Sequence, residues 1–142
     1  MTRAKRVGKC LCGAVEISIS AAADKIGACH CTMCRRFSGG SAFMAVHGTE
    51  QIDAKGAEHI GRYKSSDWAE RGFCTQCGTP LFYHLTVGTM EYFYSAGLFQ
   101  NDDKDFKVNL EIFVDQKPDF YDFANAQSQR KTSEQVFQEV NE

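Results

Sequence analysis

Seven of the 142 residues are cysteine, and they fall in three tight groups. Cys10-Leu11-Cys12-Gly13 comes first, Cys29-His30-Cys31-Thr32-Met33-Cys34 second, and Cys74-Thr75-Gln76-Cys77-Gly78 third. Thiolates at these spacings are donors for a soft-tolerant ion such as zinc, and two two-Cys groups close one tetrahedral, all-sulfur site. Cys10, Cys12, Cys74 and Cys77 are expected to form that site, a structural one that ties the N-terminal region to the middle of the chain. The glycines that end both groups fit, because such turns need φ > 0 and let backbone N–H groups approach sulfur. Cys29, Cys31 and Cys34 are left for a second zinc with three protein ligands. That arrangement keeps a position open for water or substrate and is the usual catalytic one, delivering a bound thiol or water as a nucleophile. The competing arrangement closes the second site with a histidine, and His30 is the nearest. If its segment is extended, His30 points away from Cys29 and Cys31. His47, His59 and His84 are distant in sequence and read as surface or strand residues. A redox dithiol at Cys31 and Cys34 lacks the βαβ context that motif needs.

Seven thiolates and two Zn2+ would take the formal net charge from −2 to about −5. Arg35 and Arg36 adjoin Cys34, and Arg71 precedes Cys74. Their simplest task is to neutralise and hydrogen-bond the thiolates. Arg35, Lys64 and Arg71 are also the candidates for meeting an anionic substrate, with Tyr63 to Asp67 as a lip over the open zinc. Phe37 to Ser41 reads as a turn, or as a flexible stretch that lets that zinc shift.

Composition narrows the class. Hydrophobic residues are 43% and charged residues 24%, a globular balance, and the length fits one domain, 1–142. The small negative charge argues against nucleic acid. The longest apolar run, Ala42 to Val46, is far short of the roughly 20 residues of a membrane helix. Residues 1–8 are basic but have no apolar stretch behind them, so no secretory signal is expected. An odd cysteine count in such a chain points to the reducing cytoplasm, not to a disulfide framework.

The elements that must position the thiols are mostly strands. Gly13 to Ser20 alternates, with Val15, Ile17 and Ile19 on one face. Ala42 to Val46 is a short buried strand, and Glu58 to Tyr63 a weaker one. Leu81 to Val87 and Met90 to Ala96 flank Gly88-Thr89 as a hairpin. Phe106 to Asp115 is another strand, and Asn101 to Asp105 a polar loop or helix start. Helix is expected near Cys34 to Arg36 and at the C-terminus. There Thr132 and Gln135 form a capping box, and Val136, Phe137 and Val140 form an apolar stripe. The twelve glycines suggest many tight turns. The fold class is mainly β, with small antiparallel sheets stapled by zinc knuckles, no βαβ alternation, and a C-terminal tail or helix over 124–142.

Four stretches resemble the glutathione-dependent formaldehyde-activating enzyme family, which includes the centromere protein V branch. They are Cys10-Leu-Cys-Gly-Ala-Val15, Cys29-His-Cys-Thr-Met-Cys-Arg35, Tyr63 to Trp68 running on into Arg71-Gly-Phe-Cys-Thr-Gln-Cys-Gly-Thr-Pro-Leu81, and Ile112-Phe-Val-Asp-Gln-Lys-Pro118. They occur in family order over about residues 7–123. Glu111 and Phe120 depart from the pattern, standing where many relatives carry His and Trp. The resemblance implies two zincs per chain, one structural on Cys10, Cys12, Cys74 and Cys77 and one labile or catalytic on Cys29, Cys31 and Cys34. It implies a carbon–sulfur lyase that joins glutathione and formaldehyde as S-(hydroxymethyl)glutathione. His30 would be a proton shuttle, and a backbone N–H of the Cys29–Cys34 knuckle would steady the oxyanion. The partner implied is a small thiol such as glutathione, with a homodimer left open. The alternative is a non-enzymatic, zinc-stabilised binding or scaffold module.

Overall fold

The computed structural model describes residues 5–20, 24–125 and 128–140. The chain is mainly β and builds two sheets. In the smaller, β1 (Lys5–Lys9), β2 (Glu16–Ser20) and β5 (Asp53–Lys55) pair antiparallel in the order β1-β2-β5. The larger contains β3 (Lys25–Cys29), β4 (Phe43–His47), β6 (Ile60–Lys64), β7 (Ala69–Cys74), β8 (Pro80–Leu85), β9 (Tyr92–Ser95), β10 (Lys107–Ile112) and β11 (Gln129–Lys131). Its order is β11-β10-β3-β4-β9-β8-β7-β6. The strands run antiparallel except that β10 lies parallel to both β3 and β11. The expected all-antiparallel pairing therefore stops at β3, because a long connection brings β10 back beside the chain's early strands. No helix among the described residues is long and apolar enough to cross a membrane.

Alternation divides the large sheet into two environments. Cross-strand partners share a face. Ile26, Val46, Tyr94 and Phe82 are successive partners on one side, and all are buried. They pack with Val15, just before β2, with Ile17 and Ile19 of β2, the stripe legible in the sequence, and with Leu98 and Phe99 of the 3-10 turn Ala96–Asp102. That turn takes in Asn101 and Asp102, the first residues of the stretch expected as a polar loop or helix start. On the other side lie Cys29, Phe43, Ala45, Phe93, Tyr83 and Arg71. The helix α1 (Thr32–Ser38) covers them, and its Phe37 and Cys34 complete a second apolar cluster.

Several strands hide from a hydrophobicity pattern. The inward residues of β1 are Arg6 and Gly8, and in β7 they include Arg71 and Gly72. Gly72 faces Phe82 directly, and a Cβ there would sit 2.2 Å from the ring. Gly61 faces Phe73 in the same way, at 2.5 Å. These glycines serve close packing inside strands, so the glycine content is not turns alone. The C-terminal helix α2 (Ser133–Val140) has the expected capping box: Gln135 N–H donates to Thr132 Oγ1 at 3.3 Å, and Thr132 N–H donates to Gln135 Oε1 at 2.8 Å. Phe137 packs edge-on against Phe113, while the side chain of Val140 lies outside the described residues.

Gly56 has φ +75°, and a Cβ there would lie 1.8 Å from the Ala14 carbonyl oxygen. Gly56→Ala is therefore expected to destabilise the protein by roughly 1–3 kcal/mol, read as a lower midpoint in urea. Glu70 accepts from His84 Nδ1 at 2.7 Å and pairs with Arg62. Burial opposes its charge, but the His84 and Arg62 contacts outweigh it and hold the carboxyl below its ordinary value. The stabilisation is thus complete above the ordinary carboxylate pKa and is lost as pH falls through the lower folded value. Thermal midpoints of Glu70→Gln should fall less steeply than those of the native protein between about pH 5 and pH 3.

Candidate metal centres

The cysteines converge in two groups on different parts of the fold. The sulfurs of Cys10, Cys12, Cys74 and Cys77 all lie within 4.8 Å of one another, as do those of Cys29, Cys31 and Cys34. Either group could hold a metal ion.

The four-sulfur group joins the turn between β1 and β2 to the turn between β7 and β8. Gly13 and Gly78 have φ of +82° and +79°, the turn geometry anticipated from their positions. Val15 N–H donates to Cys10 Sγ at 3.3 Å. Thr79 Oγ1 donates to Cys77 Sγ at 3.1 Å and accepts from Leu11 N–H at 3.1 Å, linking the two turns a second time. Those Thr79 contacts pull the Cys77 thiol down to about 5. The donor set suits zinc. Tetrahedral bonds of about 2.3 Å place sulfurs about 3.8 Å apart, and Cys12 Sγ stands 3.7 Å from Cys10 Sγ and 3.8 Å from Cys74 Sγ.

The three-sulfur group is assembled by a strand end and a helix start. Cys29 closes β3, and Cys31 is the N-cap of α1, its sulfur accepting the Cys34 N–H at 3.3 Å. Cys34 lies one turn into the helix and is buried. At the far end Gly39, with φ +95°, closes the helix by donating to Arg35 O. Phe37 to Ser41 is thus the last turn of a capped helix and its exit. The thiols compete for protons: hydrogen bonds from Cys29 and Cys34 hold Cys31 low, while Cys31, Cys34 and burial push Cys29 high. A cation is needed to keep all three ionised.

His30 is not brought to these thiols. Alternation turns it to the opposite side of the strand, where it is fully buried. Its Nε2 faces Glu111 Oε1 at 2.9 Å, and its Nδ1 faces the Tyr121 hydroxyl at 2.6 Å. A carboxylate only accepts, so Nε2 carries a proton toward Glu111, and Nδ1 shares its hydrogen bond with the Tyr121 hydroxyl. Arg130 Nε donates to the other Glu111 oxygen at 3.0 Å. Both imidazole nitrogens are engaged away from the thiols, so the structure does not bring the expected proton shuttle to them. Several backbone N–H groups in and beside the knuckle, where the oxyanion donor is expected, are already engaged. In the knuckle, the N–H groups of His30, Thr32, Cys34 and Arg35 go to Ile112 O, Gln116 Oε1, Cys31 Sγ and Cys31 O.

The expected anion-binding residues divide. Lys64 is on the same face as its partner Glu70, away from Arg71, and pairs with Asp67 at 3.9 Å. From that lip it is Ser65 that reaches inward, accepting from Arg71 Nε at 3.3 Å. Arg71 is buried with both terminal nitrogens 3.5 Å from Cys34 Sγ, so it faces sulfur and not solvent. Arg35 donates to His30 O and Gln116 O, clamping the knuckle to the chain beyond β10. It also lines a cavity of about 230 Å3 with Thr32, Arg36, Gly40 and Phe120.

Glu111, Tyr121 and Arg130 gave no sequence signal as partners of His30. Removing the buried carboxylate strands the His30 N–H and takes from the half-exposed Arg130 its ion-pair partner. Glu111→Ala is expected to cost about 3 kcal/mol in chemical denaturation, and Glu111→Gln, which keeps an acceptor, clearly less.

The comparisons with known proteins agree with this geometry. A family model described as glutathione-dependent formaldehyde-activating enzyme matches residues 5–116. A Schizosaccharomyces pombe protein described as an uncharacterized lyase is 39% identical over 121 residues, covering 85% of this chain and 87% of its own. A crystal structure of a Rhodobacter sphaeroides protein superposes with a TM-score of 0.56 at 26% identity, covering 69% of this chain and 91% of that one. The match runs through both cysteine groups and the strands that carry them, and the chain belongs to the glutathione-dependent formaldehyde-activating enzyme family.

Proposed function

We propose that this protein is a zinc-dependent carbon–sulfur lyase acting on a small thiol adduct, with the glutathione–formaldehyde adduct as the first substrate to test. Family membership and the lyase name of the yeast relative support a lyase. The observation that carries the finer reading is the three-sulfur group. Among the described residues no fourth Cys, His, Asp or Glu joins Cys29, Cys31 and Cys34. Three protein donors fit the open arrangement of a catalytic site, whereas Cys10, Cys12, Cys74 and Cys77 fit the closed arrangement of a structural one. When bound at the three thiols, Zn2+ would supply a Lewis acid that keeps a substrate thiol ionised at neutral pH.

The chain's own residues do the rest. In the synthetic direction the substrate sulfur forms a bond to the aldehyde carbon, the carbonyl π pair moves to oxygen, and that oxygen takes a proton. The lyase direction reverses each step, and no oxidant is required. Tyr83 offers the hydroxyl for that proton. Its ring belongs to the cluster around the thiols, and burial holds its hydroxyl protonated above the ordinary value. Phe37, Phe43 and Phe93 give the thiols an apolar surround that limits water and strengthens charge interactions. The cavity beside Arg35 and Arg36 has the size and charge for one carboxylate end of a small thiol.

The test pairs metal content with exchange kinetics. The native protein should carry two zincs per chain, and Cys31→Ala one, with the fold retained. Native protein should speed glutathione–formaldehyde adduct exchange in NMR above the spontaneous rate, and Cys31→Ala should not. Two zincs with no acceleration for any thiol would leave the scaffold reading instead.

A further inference from the structure

Among the described residues two arginines are buried, and they are answered differently. Arg6, 1% exposed, is met by the carboxylates of Asp102 and Asp105. Arg71, 4% exposed, has no carboxylate partner among the described residues. Its two terminal nitrogens each lie 3.5 Å from Cys34 Sγ. Its guanidinium sits 5.2 Å from the Phe37 ring centroid and 4.9 Å from that of Tyr83, and its Nε is fixed on Ser65. A buried cation is strongly penalised unless an anion answers it. Here the answering group is a sulfur of the three-Cys group, and two aromatic faces hold the cation so that it cannot turn elsewhere.

We propose that Arg71 is a positioning charge that lets the three-thiolate site accept an anionic fourth ligand. This rests on the reading of that site as open to a substrate thiol. Three thiolates and a divalent cation carry one net negative charge, and Arg71 cancels it. An incoming thiolate then raises the cluster to −1. Without Arg71 the same event raises it to −2 in apolar surroundings, where like charge is penalised most. A neutral ligand such as imidazole leaves the net charge unchanged in either case. Arg71 therefore selects by ligand charge, a task that neither ligation nor substrate contact describes. Lysine at this position keeps the charge but loses the paired donors and the stacking plane.

The experiment uses the Co2+-loaded protein, whose charge-transfer and d–d bands report ligands without any turnover. Native protein and variants are titrated with glutathione, 2-mercaptoethanol and imidazole. Arg71→Gln and Arg71→Met should weaken thiol binding relative to imidazole binding by about tenfold or more. Arg71→Lys should recover much of that selectivity. Either neutral variant suffices, provided the cobalt bands of the four-Cys group show the fold intact. Should neither fold, Arg71→Lys decides: it should favour thiol over imidazole nearly as the native protein does, and parity between the two ligands overturns the proposal. Equal losses for thiol and imidazole, or unchanged thiol affinity in a neutral variant, also overturn it while leaving the open-site reading in place. A native protein whose bands respond to imidazole but to no thiol overturns both.

Discussion

The period-two alternation of the eight-stranded sheet decides where everything else can stand. Each central strand serves two masters. Ile26, Val46, Phe82 and Tyr94 face the small sheet and make the main core, while Cys29, Ala45, Tyr83 and Arg71 face α1 and make the three-sulfur cluster. A slip of one residue in any strand would exchange core for site. The Gly61–Phe73 and Gly72–Phe82 pairs guard against that, because only the native register puts a ring over a position without a Cβ. The same parity parts His30 from the thiols on either side of it. One short segment therefore supplies donors to a cluster on one face and a buried hydrogen-bonded ring to the other.

How much of this was readable depends on which residue types face inward. Strand β2 was plain, since valine and isoleucine alternate with polar residues. Strands β1 and β7 were not, since Arg6, Gly8, Arg71 and Gly72 occupy the inward positions and carry no apolar signal. The C-terminal helix declared itself through Thr132 and Gln135, whose reciprocal bonds are local and need no tertiary information. The parallel docking of β10 between β3 and β11 had no local signature, because pairing across such a separation is decided by the packed whole.

The site divides along the same line. Ligand spacing is local, so both cysteine groups could be picked out, and the alternation argument already pointed His30 away from the thiols. Partners distant in sequence could not be. Glu111, noticed only as a departure from the family pattern, proves to hold His30 and Arg130 together. The arginine before Cys74 was weighed as either a thiolate neutraliser or a substrate contact. Its burial between Phe37 and Tyr83, with both terminal nitrogens on Cys34, favours the first. The lysine of the same lip stands on the other face of its strand by parity, and its neighbour Ser65 takes the inward place.

The placement of β10 also sets an order of events during synthesis. The four sulfurs of the first group are complete once Cys77 has emerged, so the small sheet and the β7–β8 turn can fasten early. The knuckle of Cys29 to Cys34 lacks its braces until Ile112 O, Gln116 and Tyr121 arrive, and Arg130 comes later still. Non-local pairings of this kind form late and slowly. A nascent chain therefore passes through a stage in which three adjacent thiols are made but not yet held. The three-sulfur group is braced only after residues 112–130 are made, whereas the donors of the other group are all present by Cys77.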